Sequence, residues 1–199
     1  MGVYKSKHLF YNLAMRIFIG IKLDDSALDS IEKFLKPFKK IASPLKWTTR
    51  ENLHVTLKFI GEVPTEKYKQ IEALLAEGDF NTGAIDLNIT CCGKFGRGPD
   101  LNIFWVGLEK NPKLEDMFNR IENTLKKAGI PKEDRPFKPH ITVARNKKNF
   151  NFKSFFELIE QNSSRLISPY TVTHFQLFES RLRPEGPIYS ILKEIPLNE

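Results

Sequence analysis

The chain is poor in the residues that mark several common functions. Among 199 residues there are two cysteines, and they are neighbours, Cys91 and Cys92. An adjacent pair cannot build a disulfide framework, and no C-x-x-C pair is present to hold zinc. This usage points to a reducing compartment, so a cytoplasmic location is expected. No apolar run approaches the roughly 20 residues that a membrane-spanning helix requires, and no membrane partner is expected. Low-complexity stretches and long linkers are missing from the sequence. Gly93, Gly96 and Gly98 do not fit the phosphate-cradling spacing G-x-x-x-x-G-K-[ST], which leaves ATP binding without support. Histidine is also scarce: His8, His54, His140 and His174 are all there are.

What is present suffices for a core. Hydrophobic residues make up 41% of the chain and phenylalanine alone accounts for 16 positions, which excludes an intrinsically disordered protein. The length suits one domain, or a single two-lobed one. Residues 1–14, MGVYKSKHLFYNLA, interrupt their apolar stretch with His8, Tyr11 and Asn12. They read as a short extension rather than a signal peptide, ahead of a domain spanning 15–199.

Periodicity divides the domain into alternating elements. Arg16–Ile21 reads as a core strand. Asp24, Asp25 and Ser26 offer N-caps to a helix with Leu28, Ile31, Phe34, Leu35 and Phe38 on one face. A strand over Asn52–Ile60 ends at Gly61, and Pro64-Thr65 opens a second helix. Strands are expected near Ile85–Cys91 and Asn102–Leu108. The order then recurs: a helix from Asn111-Pro112, a strand at His140–Arg145, and a short helix around Phe155–Ile159. Two strands near Tyr170–Glu179 and Ile188–Ile195 complete it. Forty-nine positions separate His54 from Ile103, and 48 separate His140 from Ile188. Such a repeat predicts a duplicated, bilobal α+β fold: two antiparallel sheets facing a central cleft, with helices outside.

The repeat carries a motif. His54-Val55-Thr56-Leu57 and His140-Ile141-Thr142-Val143 occupy equivalent strands. Residues two apart on a strand share a face. Burying Val55, Leu57, Ile141 and Val143 therefore turns both His-Thr pairs outward. A single His-x-Thr strand usually just meets water. Two copies in matching places, in a chain with four histidines, point to one shared site. Two imidazoles that titrate near neutrality suit paired acid and base catalysis. Hydroxyls and a guanidinium suit the oxygens of a phosphate. The pattern thus fits in-line displacement at phosphorus. The metal alternative would need carboxylates beside the histidines, and only Glu51, Glu62, Glu133 and Asp134 lie nearby in sequence. Two histidines alone fall short of a catalytic zinc site, so no metal is expected.

Charge placement agrees with an anionic substrate. The formal net charge is +7. Residues 33–50 hold Lys33, Lys36, Lys39, Lys40, Lys46 and Arg50 with no acid, and residues 135–153 hold Arg135, Lys138, Arg145, Lys147, Lys148 and Lys153 with no acid. These runs flank the two motif strands and suggest steering of a polyanion. One detail opposes simple geometry. Strict alternation puts Arg145 on the face opposite His140. A bulge, or a strand that ends early, is needed to re-aim it. Otherwise Lys58 is the nearest cation by parity.

Asn52-Leu-His-Val-Thr-Leu-Lys-Phe-Ile-Gly-Glu62 and Arg135-Pro-Phe-Lys-Pro-His-Ile-Thr-Val-Ala-Arg145 resemble the two signatures of the 2H phosphoesterase superfamily. Within it the sequence is most similar to the RNA 2′,3′-cyclic phosphodiesterases, also called 2′-5′ RNA ligases. Met15–Ile21, Leu45–Trp47 and Phe178–Arg181 resemble further stretches of that family. The resemblance implies a cleft enzyme without cofactor that hydrolyses RNA 2′,3′-cyclic phosphate ends to 2′-phosphates, with weak 2′-5′ ligation. It implies that His54 is the proton donor to the leaving O3′ and His140 the base that activates water. Thr56, Thr142 and Arg145 match phosphate-contacting positions. RNA is the expected partner and a monomer the expected state. Two other readings stand beside this one: a cyclic phosphodiesterase acting on small nucleotides, and a non-catalytic RNA-binding module. Trp47, Phe95, Phe137 and Tyr189 are candidates for base stacking, although burial in the core is the commoner fate of such residues. Cys91, Cys92 and His174 read as packing or sheet residues.

Overall fold

The structure, a computed structural model, describes residues 14–42, 45–96, 102–146 and 153–197. The expected extension thus lies almost wholly outside the described residues, as do Lys147, Lys148 and Gly98. Strand β1 (Ala14–Lys22) leads into helix α1 (Asp25–Ile41). The Asp24 carboxylate caps α1 by accepting the Ala27 N–H at 2.7 Å. The face bearing Leu28, Ile31, Phe34, Leu35 and Phe38 is buried, as the spacing predicts. After the two-residue strand β2 (Lys46–Trp47) and a 3-10 turn at Arg50–Asn52 come β3 (His54–Pro64) and α2 (Thr65–Glu77). Strands β4 (Ile85–Phe95) and β5 (Ile103–Leu108) precede α3 (Pro112–Lys127). The Asn111 side chain caps α3 by accepting from the N–H groups of Lys113 and Leu114. Strand β6 (His140–Arg145) has the expected bounds, and α4 (Lys153–Gln161) follows.

Three strands close the chain where two were expected: β7 (Leu166–Val172), β8 (His174–Leu182) and β9 (Pro187–Pro196). The run Tyr170–Glu179 looks continuous in sequence. In space it breaks at Thr173, because β7 pairs with β4 whereas β8 pairs with β1. Gly61 does not end its strand either. It adopts φ +93° at an irregularity opposite Ile17, and β3 runs on to Pro64. That backbone region suits glycine.

The strands form an antiparallel sheet in the order β7-β4-β5-β6-β3-β1-β8-β9, with β2 beside β6. The sheet is curled: the Tyr170 hydroxyl on β7 donates to the Lys22 carbonyl at the end of β1. Two separate sheets were expected. One forms instead, because β3 and β6 join directly at Val55 and Ile141, both fully buried. The halves of the sequence also fail to coincide with the halves of the sheet. About an axis between β6 and β3, the order relates β5 to β1, β4 to β8 and β7 to β9. Strands β4 and β5 of the first half therefore lie between β7 and β6 of the second, and β8 and β9 lie beside β1. The similar spacings from His54 to Ile103 and from His140 to Ile188 compare β5 with β9, which this order does not relate.

One buried ion pair fastens β3 to the helical layer. Lys58 Nζ lies 2.9 Å from Glu122 Oε1 on α3, with the two side chains only 3% and 4% exposed. The same ammonium donates to the Pro131 carbonyl at 2.8 Å and approaches the Glu133 carboxylate at 3.4 Å. The other Glu122 oxygen accepts the Glu133 N–H at 2.8 Å. Removing one partner strands a buried charge. Lys58→Met should therefore cost about 3–5 kcal/mol, and the double variant Lys58→Met/Glu122→Met should recover most of that. Urea unfolding midpoints of the three proteins check this. A Lys58→Met protein as stable as the parent would show that the pair contributes nothing.

Candidate active site

The pairing of Val55 with Ile141 sets the geometry of both motifs. In an antiparallel register that pair puts His54 opposite Thr142 and Thr56 opposite His140. Burial alternates identically along the two strands. Val55, Leu57, Ile141 and Val143 are buried, and the four His and Thr side chains are partly exposed on the other face. Both histidines and both hydroxyls therefore share one surface, related by the pseudo-twofold axis through the apolar pair.

The imidazoles are held in the same way. His54 Nδ1 lies 2.7 Å from the Asn52 carbonyl, and His140 Nδ1 lies 2.7 Å from the Lys138 carbonyl. A carbonyl only accepts, so each Nδ1 carries a proton and each Nε2 is left for other work. His54 Nε2 is 3.0 Å from Thr56 Oγ1. Burial holds the His54 pKa below its ordinary 6.5; the Asn52 carbonyl opposes this, while the positive charges of His140 and Arg145 lower it further.

The difficulty with Arg145 is resolved by a bulge. In β6, Thr142 pairs with Trp105 and Ala144 with Phe104, so Val143 is the extra residue. Alternation resets there, and the exposed Arg145 regains the parity of His140. Strand β3 repeats the device at Leu57: Thr56 pairs with Gly20 and Lys58 with Ile19. Lys58 is thereby turned into the core, so it is not the substitute cation that parity suggested. Phe59 takes the place in β3 that Arg145 holds in β6.

Aromatic rings surround His54. Phe18 stacks on Phe178 with centroids 4.8 Å apart. Phe18 and Tyr189 meet the His54 ring at 4.9 and 5.1 Å. Gly20 leaves room for it, since a Cβ there would come within 2.8 Å of the Val55 carbonyl and 3.4 Å of His54 Cδ2. A cavity of about 460 Å3 opens beside His54, lined in part by Lys22, Glu51, Phe178 and Tyr189. A second, of about 230 Å3, adjoins His140 and includes Cys91, Phe95, Trp105 and Phe137.

Of the stacking candidates, Phe95, Phe137 and Tyr189 thus face cavities. Trp47 instead packs against Phe104 and donates to the Ala42 carbonyl. Phe18 and Phe178 were not among the site candidates, although both fall in stretches that resemble the family, Met15–Ile21 and Phe178–Arg181. Within those stretches nothing separates an aromatic ring that lines the site from one that fills the core. Cys91, expected to pack, lines the second cavity and has φ +51°. Cys92 is buried as expected, and burial pushes its thiol pKa up to about 12. His174 sits on β8 with Nδ1 2.9 Å from the Thr173 hydroxyl.

The basic runs do not act as a block. Arg50 is committed to Asp25, Asp29 and Glu32 at 2.7–3.0 Å. Lys46 pairs in register with Arg145. Of the nearby carboxylates, Glu133 is engaged by Lys58, and hydrogen bonds from Thr49 and from its own backbone hold Glu51 below the usual carboxylate range.

Comparison with known proteins identifies the family. The profile of the family described as LigT like Phosphoesterase matches residues 21–105 and again 106–189. An RNA 2′,3′-cyclic phosphodiesterase of Methanocaldococcus jannaschii is 33% identical over 180 residues, 90% of this chain and 99% of that protein. Its namesake in Archaeoglobus fulgidus is 32% identical over 179 residues, 90% of this chain and 98% of the relative. The crystal structure of E. coli LigT in apo form superposes with a TM-score of 0.75 at 24% identity, covering 94% of this chain and 99% of that one. Fold and paired motifs define a 2H phosphoesterase, a class of hydrolases. The chain belongs to the LigT-like phosphoesterase family.

The charge environment of His54 is testable by NMR. Its ring should titrate below 6.5. Arg145→Met should raise the midpoint towards that value without reaching it, because burial, the larger cause, remains. An unchanged midpoint would mean that Arg145 does not act on His54.

Proposed function

We propose that the protein hydrolyses 2′,3′-cyclic phosphate ends of RNA to 2′-phosphates by metal-independent acid–base catalysis. The observation that carries the reading is the twin imidazoles. Each is fixed through Nδ1 to the carbonyl two residues earlier, so both direct Nε2 to the shared face. His140 Nε2 takes a proton from water as its oxygen attacks phosphorus. The P–O3′ bond breaks on the opposite side, and O3′ takes the proton of His54 Nε2. The product carries a 2′-phosphomonoester and a free 3′-hydroxyl. Thr56, Thr142 and Arg145 donate to the non-bridging oxygens, where charge builds. A 5′-hydroxyl in place of water gives weak 2′-5′ ligation, with the same two groups in the same roles. In this reading the domain spans residues 15–199 as two pseudo-symmetric lobes, acting as a cytoplasmic monomer without cofactor. The names of the relatives support the RNA substrate.

The lowered His54 pKa has a consequence for an acid. The acid must be protonated, so activity falls as pH rises through its pKa. A bound anionic phosphate favours imidazolium and raises that pKa. The alkaline limb of kcat should therefore lie at higher pH than that of kcat/KM.

The direct test is an oligoribonucleotide ending in a 2′,3′-cyclic phosphate, incubated in excess EDTA. The expected product is a 2′-phosphate end. His54→Ala and His140→Ala should each lose about 10²–10⁴-fold in kcat, with product binding much less affected. Sulfur in place of O3′ leaves without a proton and should rescue His54→Ala alone. Rescue of His140→Ala instead would exchange the two roles. Recovery only with a divalent ion would establish a metal-dependent enzyme. Binding without turnover would establish an RNA-binding module.

A further inference from the structure

The pseudo-twofold relation leaves a gap that a different residue fills. Arg145 ends the second motif, and its counterpart in the first is the uncharged Phe59, 49% exposed. A guanidinium nevertheless lies there. Arg16 of the neighbouring strand β1 sits over the Phe59 ring, with Cζ 4.9 Å from the centroid. Register puts Arg16, Phe18 and Gly20 on the face shared with Thr56.

Among the described residues, Arg16 lacks the charged partners that usually explain such a side chain. Glu62 is its cross-strand neighbour, yet among the described residues Arg16 makes no ion pair, whereas Arg50 makes three. Its Nε is buried without a hydrogen-bond partner among the described residues. A buried donor without an acceptor is costly, and the guanidinium charge meets no carboxylate among the described residues, so an anion reaching its other nitrogens would supply the missing partner. Stacking on Phe59 holds the guanidinium plane in position at little further entropic expense.

The two arginines are not redundant. Arg145 acts electrostatically on both His54 and Tyr189, whereas Arg16 acts on Tyr189 and is not among the influences on His54. Along β1, Arg16 is four residues from Gly20, the partner of Thr56, which is about 13 Å at 3.3 Å per residue. That separation is of the backbone; the Arg16 side chain spans part of it, which lets the guanidinium meet a phosphate adjacent to the reacting one rather than the reacting one itself. A terminal nucleotide bearing the cyclic phosphate has one neighbouring phosphate, on its 5′ side.

We infer that Arg16, stacked on Phe59, binds the phosphodiester on the 5′ side of the terminal nucleotide, and that this contact makes the enzyme prefer RNA ends over mononucleotides. The inference rests on the cyclic phosphodiesterase reading and names the part of the substrate that reading leaves open. It also distinguishes an RNA-end enzyme from one acting on small cyclic nucleotides.

Two substrates separate the contributions: uridine 2′,3′-cyclic phosphate, which has no 5′ phosphodiester, and the dinucleotide ApU ending in the same cyclic phosphate. The unmodified protein should favour the dinucleotide. Arg16→Met should lower kcat/KM for the dinucleotide by about tenfold, the scale of one charged hydrogen bond, chiefly through KM. Turnover of the mononucleotide should persist, which also shows that the variant is folded. Arg16→Lys should restore part of the preference. Salt dependence gives a second readout. For an oligonucleotide 2′-phosphate, the slope of log Kd against log salt should shrink in magnitude by about 0.7 in Arg16→Met, the value for one lost phosphate contact on a single strand. Equal losses on both substrates would place Arg16 at the reacting phosphate and overturn the inference. Loss on neither, with an unchanged salt slope, would also overturn it. If the unmodified protein turns over neither substrate, the underlying functional reading fails instead.

Discussion

The site depends on one antiparallel contact, between Val55 and Ile141. Both side chains are fully buried, so the hydrophobic effect fixes which way each strand faces. A one-residue slip of either strand would send its histidine into the core and its apolar residues to the surface. The cost of burying an unpartnered imidazole and exposing two branched side chains makes this register strongly specified. The geometry of the candidate site and core packing are therefore the same constraint seen from two faces of one sheet.

Around that contact the molecule departs from regular alternation in the same way twice. Leu57 and Val143 are each the extra residue of a bulge. Each bulge puts two successive buried residues on the core side, Leu57 with Lys58 and Val143 with Ala144. The exposed position that follows then returns to the cleft face. In β6 that position is Arg145. In β3 it is Phe59, and a cation arrives from β1 as Arg16. The bulge in β3 also sends Lys58 to Glu122, where an ion pair ties the motif strand to α3 and to the segment leading to His140.

Much of this was legible in the chain. Asp24 and Asn111 announced the starts of α1 and α3, because short polar side chains accept the free N–H groups of a first helical turn. The periodicity of α1 identified its buried face. The paired His-x-Thr strands announced which side chains share one face, since alternation buries the residues between them. Legibility failed where an outcome depended on partners distant in sequence. The run from Tyr170 to Glu179 alternates smoothly, yet it divides because β4 and β1 recruit its two ends to different places in the sheet. Phe18 and Phe178 look like core residues because burial around His54 and burial in the core demand the same side chains.

The sequence by itself determined the α+β class, most elements, the two motifs and the side of each strand they occupy. These follow from local periodicity, capping chemistry and the cost of exposing apolar surface. Tertiary structure decided that one curled sheet forms instead of two, that strands exchange between the halves, and that bulges aim Arg145 at the cleft and Lys58 into the core. Bulges and strand neighbours are set by pairing between segments far apart in the chain. No local pattern records which partner wins that pairing.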